Sequence, residues 1–341
     1  MPCIGHLRFP WRPCAGRGQP ATIRAVLSIL VITFPFFALV ACGFAATWRG
    51  MLPTSAISGL NSFVLYFALP CLLFRFGAQT PLAQLLDMPV IVVYLLSALI
   101  MVAATVALTR ARLGWNDAAF GALVAAFPNT GFMGVPMLVA ILGASSAGTV
   151  IVTMAIDMVV TTSVCIALSR LDPAGGQGMR NALAKAFRGM CANPMPWSIV
   201  LGGAASAMGW TLPGPVDRTI AMLAAAASPV ALFTIGAVLA RSQMNTRETV
   251  PLRDYVPIAL AKLALHPLLL WLVAQVVAAC GLRLSPEALT VLLLTAALPS
   301  ASNVSLLTER YGADSGRIAR IILVSTSAAF LSFSGMVAWV T

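Results

Sequence analysis

The sequence predicts an all-α integral membrane protein of ten transmembrane helices, arranged as two inverted five-helix repeats with helices 4 and 9 broken and crossing. Three observations predict it. Sixty per cent of the 341 residues are hydrophobic and only 9% are charged, against roughly 25% charged in a soluble domain. Short signatures of the first half recur in the second half in the same order. Two apolar runs carry proline and asparagine near their middles, where a membrane helix tolerates a break only if it lines a cavity or is buried in protein.

Apolar runs of about 20 residues suffice to cross the roughly 30 Å hydrocarbon layer. They place spans near 23–47, 55–77, 89–109, 118–142, 147–169, 194–210, 217–240, 255–280, 286–307 and 317–340. The sixth, PWSIVLGGAASAMGW, is short and rich in small residues. With the N-terminus outside, the inner loops hold Arg49, Arg110, Arg112, Arg170, Arg180, Lys185, Arg188, Arg241, Arg247, Arg253, Arg310, Arg317 and Arg320. The outer loops hold only Arg75, Arg218 and Arg283. Cytoplasmic loops collect lysine and arginine, so both termini are expected outside.

The chain then divides into a tail, 1–22, a first repeat, 23–169, a cytoplasmic loop, 170–193, and a second repeat, 194–341. The N-terminal stretch through residue 24 carries Arg8, Arg12, Arg17 and Arg24 against the charge pattern. It reads as a disordered extension or a start codon assigned too far upstream. It is no secretory signal, because the apolar run behind it is too long and lacks a small-residue cleavage site.

The net charge of +11 sits in short loops and so points to anionic lipid rather than nucleic acid. The seven cysteines are scattered without a C-x-x-C pair, and the histidines are His6 and His266 alone. Neither a disulfide framework nor a metal site is expected, and no cofactor.

The repeat rests on three matches. ALPCLLFRFG at 68–77 recurs as ASPVALFTIG at 227–236, with Ala68/Ala227, Pro70/Pro229, Leu73/Leu232, Phe74/Phe233 and Gly77/Gly236 at an offset of 159. AAFP at 125–128 recurs as AALP at 296–299, and GASS at 143–146 as GADS at 312–315. Five helices per repeat is an odd number, so the second copy enters the membrane from the opposite side. Inverted repeats place a substrate site near the midplane, where discontinuous helices of the two halves meet.

Span 4 breaks at Pro128–Asn129, and its partner, span 9, breaks from Pro299 to Asn303. Each proline removes a donor and clashes with the turn before it. Half-helix N-termini then present bare amides and partial positive charge, which suits a carboxylate. Asn129, Thr130, Ser300, Ser302 and Asn303 add neutral hydrogen-bonding groups.

The segments LNSFVLYFALPCLLF, FPNTGFMGVPML and LPSASNVSLLTERYGAD resemble the signature segments of the auxin efflux carrier family, in particular its bacterial branch of malonate and small organic acid permeases. The resemblance covers the chain after about residue 25. It implies a fold similar to sodium/proton antiporters and bile acid carriers, with a scaffold of spans 1, 2, 6 and 7 and a transport domain of spans 3–5 and 8–10. The family's crossing Pro-Asn falls on Pro128 and Asn129, with Gly131 following, and the second crossing falls on Pro299. The second half departs from the pattern, since Asn303 lies four residues beyond its proline. Asn61 in span 2 matches a position often polar in the family.

Few charges lie inside the membrane, and each is a functional candidate because burying it is costly. Asp157 in span 5 is a candidate proton or sodium site, or a structural partner of a hydroxyl. Lys262 and His266 are one helical turn apart on span 8. Lys262 balances Asp157 or an anionic substrate, or it snorkels. His266 is expected to be a satisfied packing histidine, and Arg75 an interfacial residue.

No H-E-x-x-H, serine–lysine, serine–histidine or phosphate-loop arrangement appears, so an enzyme is not expected. The longest interior loop is too short for an ATPase, which leaves a gradient as the energy source. The expectation is a secondary transporter of a small organic anion in the bacterial inner membrane, working by alternating access, with proton or sodium coupling. A homodimer is one admissible assembly. The alternative is a sodium-coupled carrier of amphipathic acids.

Overall fold

The computed structural model describes residues 21–80, 86–171, 194–245 and 250–340. Of the expected tail, only its last two residues are described, at the start of α1. Of the expected 170–193 loop, only Arg170 and Leu171 are. The loop cations Arg180, Lys185, Arg188 and Arg247 lie outside the described residues.

The described residues are helical throughout, with no strand longer than one isolated bridge. The first half comprises α1 (Ala21–Trp48), α2 (Ala56–Gln79), α3 (Met88–Ala126), α4 (Thr130–Leu142) and α5 (Ala144–Ser169). The second comprises α6 (Pro194–Ala207), α7 (Gly214–Asn245), α8 (Val256–Ala279), α9 (Pro286–Ala297), α10 (Val304–Tyr311) and α11 (Ser315–Val340). Six helices are long and apolar enough to cross a membrane. The protein is therefore an all-helical, multi-pass membrane protein. The shortness of the sixth expected span is real: 14 residues reach about 21 Å.

Local chemistry sets several ends. Asp87 accepts from the Val90 amide at 3.2 Å at the start of α3, and Ser285 from the Ala288 amide at 3.1 Å at the start of α9. Each cap is followed by a proline early in the first turn, where the missing donor costs nothing. Within α3 two helices meet at Gly114, inside the expected connection 110–117 between spans 3 and 4, and the connection is a tight corner: its φ of 77° and ψ of 171° are non-helical. One glycine suffices as a corner because it alone enters that backbone region without strain.

The positive-φ residues reveal how the chain repeats. All six among the described residues are glycines, and they fall into pairs: Gly50 with Gly209, Gly114 with Gly281, and Gly143 with Gly312. Gly50 and Gly209 follow α1 and α6. Gly143 and Gly312 end α4 and α10, which explains the GASS and GADS match.

Two close helix crossings obey the same spacing. A Cβ on Gly43 of α1 would lie 1.8 Å from the Phe233 carbonyl oxygen of α7, and one on Gly236 would lie 1.9 Å from Val40 O. A Cβ on Gly202 of α6 would lie 2.4 Å from Phe74 O of α2, and one on Gly77 would lie 3.1 Å from Ile199 O. Gly43 stands to Gly202 as Gly77 stands to Gly236, at the offset of 159 read from the sequence. Small residues let backbones touch where lipid supplies no hydrophobic drive between helices.

The loops sort themselves to two ends. At one, Arg112 pairs with Asp254 at 2.8 Å and Arg317 donates to the Asp117 carbonyl. There too Arg320 reaches the Val250 carbonyl at 3.0 Å, and Arg170 lies over Tyr311. At the other, Arg75 pairs with Asp217 at 3.0 Å and Ser206 donates to the Thr80 carbonyl. The described members of 110–117, 250–254 and 310–320, all expected on the inner side, thus meet one another at one end, and the ends of α2, α6 and α7 meet at the other. Large apolar side chains such as Leu108, Met222 and Leu331 are exposed, as residues facing acyl chains must be.

Gly236→Ala should force α1 and α7 apart. Overpacking costs about 1–3 kcal/mol, so the thermal unfolding midpoint in detergent should fall by about 2–8 °C. Gly59→Ala, whose Cβ meets nothing within 4 Å, should leave it unchanged.

Candidate functional site

The broken stretches pair with each other. Prolines at 128 and 299 lie two residues beyond the last helical residues of α3 and α9, and the freed backbone would be unpaired in a low-dielectric interior. The Asn129 amide donates to Pro299 O at 2.8 Å and the Ala301 amide to Phe127 O at 3.0 Å, so Pro128 and Ser300 face each other in an antiparallel bridge. The Ser300 amide finds Ser325 Oγ of α11 at 3.2 Å. Two half-helices then leave the crossing, α4 from Thr130 and α10 from Val304. Both point their N-termini, with partial positive charge, at it.

The crossing holds most of the sequence-predicted residues. Asn129 is 3% exposed and its Nδ2 has no partner among the described residues; Ser300 is fully buried and its Oγ has none. Thr130 and Ser302 are buried beside them. Pro128, Asn129, Gly131 and Asn303 line a small cavity against Leu69 of α2 and Met154 of α5. Its free volume of about 20 Å³ holds about one water. A second cavity, of about 10 Å³, brings Asn61 and Arg241 to Ser302 and Asn303. Asn61 therefore joins the site through this second space. Phe132 and Asn303 line both.

Asp157 and Lys262 line neither cavity. Both are fully buried, each in a widened helical turn: 157–161 in α5 and 261–265 in α8. Such turns recur at functional positions. Asp157 accepts from Tyr94 Oη of α3 at 2.5 Å and from Thr161 Oγ1 at 3.0 Å. Lys262 Nζ donates to Ala296 O at 2.6 Å and contacts His266 Nδ1 at 3.0 Å. No ion pair joins Lys262 to Asp157.

Two expectations change. Lys262 does not snorkel. Its ammonium caps the C-terminal turn of α9, next to the break, where negative partial charge collects. His266 is not fully satisfied: an ammonium only donates, so Nδ1 accepts and the ring proton falls on Nε2, which has no partner. Arg75 is partly exposed and pairs with Asp217.

Sequence reasoning missed Tyr94, Thr161, Ser325 and Arg241. Thr161, one turn from Asp157, and Tyr94, a phenol in an apolar run, carried a readable signal. Ser325 and Arg241 are defined only by what folds against them.

A crossing of two interrupted helices in an apolar multi-pass protein, with a buried unpaired amide beside a small cavity and a buried unpaired hydroxyl near it, is an arrangement that suits a membrane transport protein. The chain belongs to the membrane transport protein family, the auxin efflux carrier family resembled above, whose model matches residues 25–337. It is 29% identical to the "Putative malonate transporter" of Rhizobium meliloti over 312 residues, 89% of this chain and 93% of that one. It is 30% identical to the "Uncharacterized transporter YfdV" of Escherichia coli K12 over 196 residues, 57% of this chain and 59% of that one.

Ser325→Ala should leave the buried Ser300 amide without an acceptor. That loss costs about 1–3 kcal/mol, and thermal unfolding in detergent should register it as a lower midpoint. An unchanged midpoint would mean that the crossing does not need this contact.

Proposed function

We propose that the protein is a secondary active transporter moving a small organic anion, a carboxylate, across the bacterial inner membrane by elevator-type alternating access. The observation that carries this reading is the paired crossing: Asn129 Nδ2 and Ser300 Oγ lie buried and unpartnered between two half-helix N-termini. An anion supplies the acceptors that these groups lack. The relative named for malonate agrees with a carboxylate substrate.

The mechanism follows from where the cavities lie. The crossing cavity lies between α2 on one side and α4, α5 and the two breaks on the other, and the second between α2 and α7 on one side and α4 and α10 on the other. We assign α1, α2, α6 and α7 to a scaffold held by the two glycine crossings, and the remaining helices to a mobile unit that carries the crossing past it. Space for about one water means that a carboxylate enters only when these surfaces part. The paired glycines, recurring at matched positions, support two inverted five-helix repeats. The gathered inner loops support both termini in the periplasm and the 170–193 loop in the cytoplasm.

Asn129 would hydrogen-bond the carboxylate, with Thr130, Gly131, Ser300 and the α4 amides completing the cradle, and Pro128 and Pro299 keeping the backbone open. A hydrogen bond to a charged group is worth about 1.5–3 kcal/mol. Asn129→Ala should therefore weaken carboxylate binding roughly ten- to a hundredfold, read as ligand-induced thermal stabilisation. Asn129→Asp should abolish anion uptake into proteoliposomes near neutral pH and recover partly in acid, where the new carboxyl is protonated. Tolerance of Asn129→Asp would sink the anion reading and leave the fold untouched.

Asp157 would carry the coupling proton. Tyr94 and Thr161 position it, and Lys262 ties its neighbourhood to α9 at the crossing. Asp157→Asn removes the proton acceptor, so a proton gradient should no longer drive uptake. A wild-type response to a sodium gradient alone would instead favour the sodium-coupled carrier.

A further inference from the structure

We propose that the second cavity is an anion subsite in which Arg241 binds the distal carboxylate of a short dicarboxylate, while the proximal carboxylate sits at Asn129. This deepens the carboxylate-carrier reading and rests on it.

The two cavities are consecutive along one path. On α2, Asn61 and Leu65 line the second, and Leu69, one turn later, lines the crossing cavity. The second cavity therefore lies toward the end at which α2 begins and α7 finishes, the end where the inner loops gather. Asn303 and Phe132 face both spaces. One residue thus spans the two subsites, a separation suited to a ligand with few atoms between its charges.

Charge distinguishes the two subsites. The crossing cavity is lined only by neutral groups, which suffice for one carboxylate through amides and side-chain donors. A second negative charge so close needs a cation, because an unpaired buried charge is costly. Arg241 is the only cation lining either cavity among the described residues. It is half-buried and makes no hydrogen bond or ion pair to any described residue. Its planar guanidinium matches a carboxylate bidentately. Asn61 and Ser302, in the same wall, supply further hydrogen bonds. Lys262, the nearby buried cation, already donates to Ala296 O and faces neither space.

The experiment titrates the purified full chain with malonate, succinate and propionate, following thermal stabilisation, which reports binding by mass action. Wild type should bind the dicarboxylates more tightly than propionate. Arg241→Gln should weaken malonate about ten- to a hundredfold and move propionate by less than about threefold. Arg241→Lys, which keeps the charge and loses the fork, should fall between. Unchanged malonate affinity in Arg241→Gln would overturn the subsite, and so would equal losses for malonate and propionate. If Arg241→Gln unfolds before titration, Arg241→Lys decides alone: malonate weakened relative to propionate upholds the subsite, and an unchanged ratio overturns it. Failure of all three acids to stabilise wild type is a separate result, seen before any substitution, and would overturn the carrier reading together with this one.

Discussion

The rest of the structure depends on the backbone pairing between residues 127–129 and 299–301. In a bilayer interior each unmatched peptide group costs several kcal/mol, and two prolines leave several groups unmatched in the middle of the protein. Each broken segment solves the problem of the other. Asn129 donates to Pro299 O, and Ala301 to Phe127 O. Because the partners come from opposite halves of the chain, neither half has a satisfied core alone. The same pairing turns two helix N-termini toward one point, where Asn129 Nδ2 and Ser300 Oγ lie without partners among the described residues. A structural necessity and the proposed binding surface thus share a few atoms.

The glycines set apart the helices that the proposed transport mechanism treats as fixed. The α1–α7 and α2–α6 contacts bring backbone against backbone at Gly43, Gly236, Gly202 and Gly77, a geometry that leaves no side chains to slide. Those four helices make a stiff wall. Against that wall the crossing presents side chains and small cavities, a looser contact of the kind that shear motion requires. The division proposed for transport follows this difference between backbone-tight and cavity-containing interfaces.

Asp157 with Tyr94 and Thr161, and Lys262 with Ala296 and His266, form a buried polar cluster outside both cavities. Their link to the crossing is physical: Lys262 holds the last turn of α9, one residue before the chain breaks.

By itself the sequence determined what depends on composition and local backbone chemistry. Apolar runs of membrane length, prolines that forbid helix continuation, and glycines that recur at fixed offsets act through the chain's own covalent rules. The helices, both breaks and the equivalence of GASS and GADS were legible for that reason. So was the sorting of the described loops into two groups, since like-placed arginines were counted before they were seen to meet. The kink at Gly114 was not legible, because flanking charges look the same in a loop and on a helix surface. Only the tertiary structure decided who touches whom across the chain. It put Arg241 beside Asn61 and Asn303, Ser325 under Ser300, and Lys262 on a carbonyl 34 residues away rather than at the membrane surface. Those contacts join segments far apart in sequence, and no periodicity or spacing records the packing that sets their distance.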